Sequence, residues 1–363
     1  MELGVFLNHQ GAVHVARRAE QLGYTMALVP EGFRSDAVSV LGAVAAVTER
    51  IGLASGLMQI PARTPVMTAL SAATLHALSG GRFRLGLGVS NPDVSLGWYG
   101  QPFEHPLQRT REYVEIVRLA LRGEPVRYAG KHYRLPPDGT TEAAQLRAAA
   151  IHSDIPILLG AIGRRSLKLA DKLADGWIGA SCSPQRSADS LAHCRTAGVK
   201  RGIGGGRAFE VLPSVPIAVN ADLEAAAAPL RGYFANFIGL GSSERSIYYR
   251  LAAELGYESA AADIHRYCRA GDRAAAARAV PLELIDEVSL IGDVPRIARR
   301  MAAYERAGVT TLGLTPLSPT VNGQLDTIEA AAAALDAMRR AERWSDFQTA
   351  GSVTRQLERM AMK

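Results

Sequence analysis

The chain has 363 residues, 48% of them hydrophobic and 6% aromatic, so it can bury a large core. It exceeds the roughly 250 residues of a plain (β/α)₈ barrel, and one barrel with insertions competes with two domains. A formal charge of +6 and a pI near 9.3 come from scattered rather than clustered cations, which suits an anionic small ligand better than a nucleic acid.

Cys182, Cys194 and Cys268 have no CxxC spacing, which argues against a disulfide framework or a zinc site. No apolar run reaches the roughly 18 residues of a membrane span. The opening MELGVFLNHQ runs straight into a strand pattern, so the expectation is a cytoplasmic protein without a signal peptide.

In chain order, Leu3 to Leu7 is the first predicted strand, ending at Asn8-His9. Val15, Ala16, Ala19 and Leu22 form a helix face closed by Gly23. Ala27 to Pro30 is a strand that delivers Glu31-Gly32, and Val38 to Glu49 is a helix. Arg50 to Asn91 reads as strand, loop, helix, strand and Gly-rich loop. Thr64-Pro65 supplies an N-cap and a first-turn proline, and Val66, Ala69, Leu70, Ala73 and Ala77 recur at helical spacing. Two apolar strands, Ile51 to Leu57 and Phe83 to Leu87, joined through that helix make a βαβ unit. Such a unit belongs in a parallel sheet covered on both faces.

An amphipathic helix follows over Leu107 to Leu121. Pro125 to Leu135 reads as a hairpin turning at Ala129-Gly130, and 136–153 as a polar surface excursion. Ile155 to Leu159 resumes the strands. GAIGRRS (160–166), a helix over Ser166 to Ala174 and a strand over Asp175 to Ala180 come next. Gln185 to Ala197 is a helix, 203–206 a glycine loop, and Phe209 to Val219 a strand. Between Asp222 and Val280 alanine-rich helical sequence is broken at Gly239, Gly241, Gly256 and Gly271, and it reads as a helical insertion.

Leu282 to Ile291 and Val294 to Ala307 return to the barrel pattern. Val309 to Leu314 is the last strand and Asp326 to Met338 the last helix, with no core signal beyond Arg340. Strands near residues 3, 26, 52, 83, 156, 177, 211 and 310 alternate with helices, which favours the α/β class and a (β/α)₈ TIM barrel with insertions. No linker-like break appears, so residues 1–340 are expected to form a single domain and 341–363 a tail.

In a barrel, function sits at the strand C-terminal ends. The eight histidines show neither HxH nor HExxH spacing, and no metal site is expected. GAIGRRS leaves a strand and opens a helix, where small residues, a helix N-terminus and Arg164-Arg165 suit a phosphate; the alternative is an ordinary loop with solvated arginines. Glu31 can contact a cofactor ring or transfer a proton, or simply pair with a nearby arginine such as Arg34. His9 and Asn91 are candidates for substrate polarisation, against a satisfied loop histidine and a turn-closing asparagine. Arg63 and Arg82 read as structural. Phe33, Trp98, Tyr99 and Trp177 can wall an apolar pocket or belong to the core.

TERIGL (48–53), MQIPARTP (58–65), AATL…LSGGRF…LGLG (72–88), RTREYVEIVR (109–118) and ADGW (174–177) resemble the luciferase-like flavin- and deazaflavin-dependent oxidoreductases. The match runs from about residue 1 to 180 and resumes weakly at VSLIGD (288–293). The MQIPARTP version is similar to the branch using coenzyme F-420, a 5-deazaflavin with a phosphate and an oligoglutamate tail.

The resemblance implies a (β/α)₈ barrel, a non-proline cis peptide at Gly56-Leu57 behind the cofactor ring, and a homodimer through helices near the second and third strands. The cofactor contacts it implies are Glu31, Ser55, Gly56 and Leu57; Gly88, Val89, Ser90 and Asn91; and Ala161, Ile162, Gly163, Arg164 and Arg165. Glu31, Asn91 and His9 are the catalytic candidates. Coenzyme F-420 is the expected cofactor, with FMN as the alternative, and the implied reaction is hydride transfer between the deazaflavin C5 and a small organic substrate. The competing readings are a reduced-FMN monooxygenase and a non-catalytic flavin-binding protein on a degenerate barrel. Sugar-phosphate dehydrogenases of the family carry an Asp-His pair and a glutamate where this chain has Glu31-Gly32 and Asn91, which counts against that activity. No nucleic-acid or membrane partner is expected.

Overall fold

A computed structural model describes every residue except 34, 138–141, 148–153, 195–207 and 362–363. Strands β1 (Glu2–Phe6), β2 (Met26–Val29), β3 (Gly52–Ser55), β4 (Phe83–Gly88), β5 (Ile157–Gly160), β6 (Gly176–Ala180), β7 (Glu210–Val219) and β8 (Thr311–Pro316) pair in parallel in that order. β8 pairs β1 through Glu2↔Thr311 to Val5↔Leu314, which closes the ring. The fold is therefore the expected eight-stranded barrel. Phe6, Met26, Leu28, Leu158, Ile178 and Leu212 fill its interior.

The first helices are α1 (Ala12–Gln21), α2 (Ala37–Ala45), α3 (Pro65–Leu78), α4 (Pro92–Gly97), α5 (Pro106–Leu121), α6 (Arg164–Leu173) and α7 (Pro184–Cys194). Thr64 caps α3 by accepting from Met67 N at 3.4 Å, with Pro65 in its first turn. Arg82 ties the end of α2 and α3 to β3, donating to the carbonyls of Thr48 (2.8 Å), Ile51 (2.6 Å) and Ser79 (2.7 Å). Its structural reading holds. The hairpin pairs Tyr128–Ala129 with Arg134–Leu135. The described parts of the 136–153 excursion, 136–137 and 142–147, have neither helix nor strand, and the 203–206 loop lies outside the described residues.

After β7 the chain forms α8 (Leu223–Ile238), α9 (Ile247–Glu254), α10 (Glu258–Arg269), α11 (Arg273–Arg278) and α12 (Leu282–Val288). They share a second core that includes Leu230, Phe234, Ile264, Leu284, Ile285 and Val288. The sequence reading returned Leu282 to Ile291 to the barrel. Instead Leu284, Ile285 and Val288 repeat at helical spacing and bury against the insertion, leaving only Leu290–Gly292 to pair with β7.

Helix α13 (Val294–Arg306) precedes β8, and α14 (Val321–Ala361) closes the chain. Residues 341–361 of the predicted tail are thus helical backbone continuous with the last helix, consistent with their Ala, Glu, Arg and Gln content. No helix among the described residues is long and apolar enough to cross a membrane.

Candidate active site at the mouth of the barrel

The site is built on an irregularity between β3 and β4. Ala54 faces Arg84, yet Met58, four residues on, faces Leu87, only three on. One residue is therefore extra on the β3 side, a bulge, and within it the Gly56–Leu57 peptide is cis, as the resemblance implies. Ser55 Oγ fills the gap in the ladder, donating to Gly86 O at 2.8 Å and accepting from Gly86 N at 2.9 Å. A Cβ on Gly86 would lie 1.9 Å from Ser55 O. Only glycine fits.

The bulge turns Leu57 across the barrel mouth, on top of the interior cluster. Cβ atoms on Gly88 and Gly160 would stand 2.8 and 2.3 Å from Leu57 Cδ1. The ends of β3, β4 and β5 thus form a glycine cradle with Leu57 at its floor. Ser55, one of the expected cofactor contacts, commits its hydroxyl to this seam. It is fully buried and its hydroxyl is engaged by Gly86 on both sides.

The end of β2 clamps this bulge. Gly56 N donates to Val29 O (2.7 Å) and Glu31 N to Leu57 O (3.2 Å). Gln59 N donates to Glu31 Oε2 (3.0 Å), and Gln59 Nε2 to Glu31 O (2.8 Å). Arg63 grips Glu31 Oε1 through Nη2 at 2.7 Å and Nε at 3.2 Å, and also reaches Asp36 Oδ1 at 2.5 Å. Among the described residues the arginine partner of Glu31 is Arg63; Arg34 lies outside them.

The Glu31 side chain is only 7% exposed. Asp36 also caps α2. Burial opposes its ionisation, but hydrogen bonds at Ser39 and Val38 and the charge of Arg63 hold its carboxyl below the usual range. Tyr99 feels the same cluster: burial, then the Glu31 charge, push its phenol up. Two buried acceptors at these strand ends, Asn8 Oδ1 and Gln59 Oε1, have no partner among the described residues.

Beyond β4, Ser90 takes a left-handed conformation with φ 64°. Asn91 caps α4, its Oδ1 accepting from Val94 N at 2.9 Å, so its turn-closing role is real. Asp93 Oδ2 then accepts from Ser242 N at 3.3 Å, which joins the loop between α8 and α9 to this rim. His9 is exposed in the turn after β1. Trp177 is core, 1% exposed, and its indole donates to Ala161 O at 2.6 Å. Phe33 and Trp98 are not core; they stack edge to face, centroids 5.0 Å apart, on the exposed rim.

At the end of β5, Gly163 caps α6 without a side chain, and Ser166 Oγ accepts from Ile162 N (3.3 Å) and Gly163 N (3.1 Å). Helix α6 begins two residues earlier than the sequence suggested, so Arg164 and Arg165 occupy its first turn, exposed, where amides have no intrahelical partner. Four adjacent strands therefore bring Glu31, Leu57, Gly88 to Asn91 and Ala161 to Arg165 along one arc, about 14 Å wide at the usual strand spacing. The sequence reading did not find Gln59 or Asn8 as site residues; MQIPARTP contains the first, and no pattern marked the second.

Residues 7–311 match the family model described as luciferase-like monooxygenase. A Mycobacterium tuberculosis protein named "Putative coenzyme F420-dependent oxidoreductase Rv3520c" is 35% identical, across 87% of this chain and 95% of its own length. A 5,10-methylenetetrahydromethanopterin reductase of Archaeoglobus fulgidus is 27% identical over 84% of this chain and 90% of its own. In fold, the chain is similar to the coenzyme F420-dependent tetrahydromethanopterin reductase of Methanopyrus kandleri. That likeness has a TM-score of 0.77 at 24% identity and covers 91% of this chain and 97% of that one.

Proposed function

The chain belongs to the luciferase-like monooxygenase family of oxidoreductases, and from that premise we propose that it is a coenzyme F-420-dependent enzyme acting on a small organic substrate. The observation that carries this reading is the glycine cradle under Leu57, set beside the open first turn of α6. The residues present fit a flat ring with an anionic tail on three counts. Among the described residues, Gly88 and Gly160 leave room that only the Leu57 side chain enters, Asn8 Oδ1 and Gln59 Oε1 are buried acceptors without partners, and the first turn of α6 offers amides without intrahelical partners beside two arginines. Relatives whose names carry the same cofactor support it.

Bound there, the deazaflavin supplies a hydride donor or acceptor at C5. The chain's own residues do the rest. Gly56 and Leu57 back the ring, and Gly88, Val89, Ser90 and Asn91 border it. The loop of Ala161, Ile162 and Gly163, followed by the open first-turn amides of α6 and the side chains of Arg164 and Arg165, holds the phosphate and tail. Glu31, gripped by Arg63, is a positioning residue that holds the bulge, and Asn91 and His9 are the polar groups assigned to the substrate. The outer face of α3 exposes Met67, Leu70 and Leu78, with Val47 beyond α2, and we assign it to a homodimer contact that light scattering would test.

The family model's own description favours a second reading, a monooxygenase using reduced FMN and oxygen. Oxygen consumption with supplied reduced FMN and a long-chain aldehyde would establish it. Failure to turn over any electron acceptor would favour a flavin-binding protein without catalysis.

A further inference from the structure

Above the interior cluster of the barrel, strand alternation brings one more inward position of each strand to the mouth. On β4, β5 and β6 these positions are Gly88, Gly160 and Ala180, a nearly bare side. On β7, β8 and β1 they are Ser214, Thr315 and Asn8. Their neighbours Val215, Leu314 and Leu7 point the other way, into the core between sheet and helices. Gly313 fixes the direction on β8. A Cβ there would stand 2.7 Å from Phe6 Cε2 and 2.9 Å from Leu212 Cδ2, inside the barrel, and Thr315 follows on the same face.

In the barrel order β8 lies opposite β4, and β1 opposite β5, so the polar side faces the glycine cradle across the mouth. Eight strands about 4.8 Å apart and tilted by about 36° set opposite backbones roughly 15 Å apart. Ser214 Oγ and Thr315 Oγ1 lie 3.3 Å apart, and either can donate to the other. Their bond uses one of two hydroxyl protons, which leaves one O–H with no acceptor among the described residues. Asn8 Oδ1 is the reverse, a buried acceptor with no donor among them. Of the two orphaned acceptors at the strand ends, Gln59 Oε1 belongs to the cradle side and Asn8 Oδ1 to this one. Ser214 and Thr315 are half-buried between fully buried neighbours, so it is the mouth that opens them.

We infer that Ser214, Thr315 and Asn8 form the substrate wall of the mouth, and that they orient an uncharged carbonyl or hydroxyl oxygen of the substrate. The assignment to the substrate rests on the reading of the opposite cradle as the cofactor side. Barrel interiors are ordinarily filled by bulky branched side chains. Here three adjacent strands instead present short polar groups, with one donor and one acceptor left open, and a bound oxygen would remove that desolvation cost. A carbonyl accepts from the free hydroxyl; an alcohol can also donate to Asn8 Oδ1. None of the three residues is charged, so a carboxylate or phosphate placed against them would lose water without meeting a cation on this wall.

The test titrates the full-length protein with cyclohexanone, cyclohexanol and cyclohexanecarboxylate by saturation-transfer NMR, and with coenzyme F-420 separately. The two neutral probes are expected to bind at least about tenfold more tightly than the carboxylate. Ser214→Ala and Thr315→Val should each weaken cyclohexanone by less than about twofold, because the remaining hydroxyl still donates. The double variant should weaken it by at least about fivefold, the size of one lost hydrogen bond. That non-additive pattern is the mark of a shared donor. Asn8→Leu, of similar volume, should weaken cyclohexanol by about fivefold, since the alcohol proton loses its acceptor. All these variants should keep wild-type F-420 affinity.

If the double variant does not fold, Asn8→Leu still decides. No binding of either neutral probe, equal binding of the carboxylate, or neutral-probe binding indifferent to the double variant and to Asn8→Leu overturns the inference. Loss of F-420 affinity in the double variant with cyclohexanone binding intact gives the wall to the cofactor, and overturns it too. Probe binding that follows these variants in a protein that binds no F-420 supports the wall as a ligand site and overturns the cofactor reading.

Discussion

Ser55 and Gly86 hold each other across the seam between β3 and β4, the serine hydroxyl taking both the amide and the carbonyl of the glycine at 2.9 and 2.8 Å. A side chain thus replaces backbone where the bulge has pulled the ladder apart. Ser55→Ala leaves two buried backbone groups unpaired and should cost about 1–3 kcal/mol, read from urea unfolding. Gly86→Ala should cost more, because its Cβ meets backbone at 1.9 Å rather than a movable side chain.

Gly160 makes the complementary case. A methyl there meets Leu57 Cδ1, the end of a flexible side chain, which can swing away into the mouth. Gly160→Ala should therefore unfold within about 1.5 kcal/mol of wild type while weakening F-420 by at least about tenfold. Stability loss with unchanged cofactor affinity would place Leu57 outside the ring site.

Glu31 separates a catalytic from a positioning role. Its carboxylate accepts from Arg63 and Gln59, leaving a clamp rather than a free base. Glu31→Gln should lower kcat by less than about tenfold and leave the shape of the pH profile unchanged. Removal of a general base would cost about 10²–10⁴ and erase one limb.

Glu112 gives a pH signature outside the site. Burial opposes its charge, but the amides of Lys131, His132 and Tyr133 and the side chain of Gln108 hold it below the usual carboxylate range. A depressed folded-state value contributes stability above the unfolded value of about 4.3 and loses it as pH falls through the folded one. Glu112→Gln should therefore destabilise by about 1–3 kcal/mol at pH 7 and progressively less below pH 4, followed by thermal melts across that range.

The barrel was legible because the strand patterns and the Thr64-Pro65 cap agreed with one another. The cis bond at Gly56-Leu57 came through family likeness; nothing in the local residues alone demanded it. The seam role of Ser55 was not legible because a bulge shows only as a slip between two strands far apart in sequence. The Glu31–Arg63 pair was not legible for a similar reason: Arg63 lies far along the chain and meets Glu31 only once β2 and β3 are side by side. The contact of Tyr233, Phe237 and Tyr248 was invisible, since they come from two helices whose packing is tertiary.

The most direct measurement is a side-by-side titration of the purified protein with coenzyme F-420 and FMN. F-420 is expected to bind at least about tenfold more tightly than FMN. Tight FMN binding with no response to F-420 would contradict the proposed cofactor.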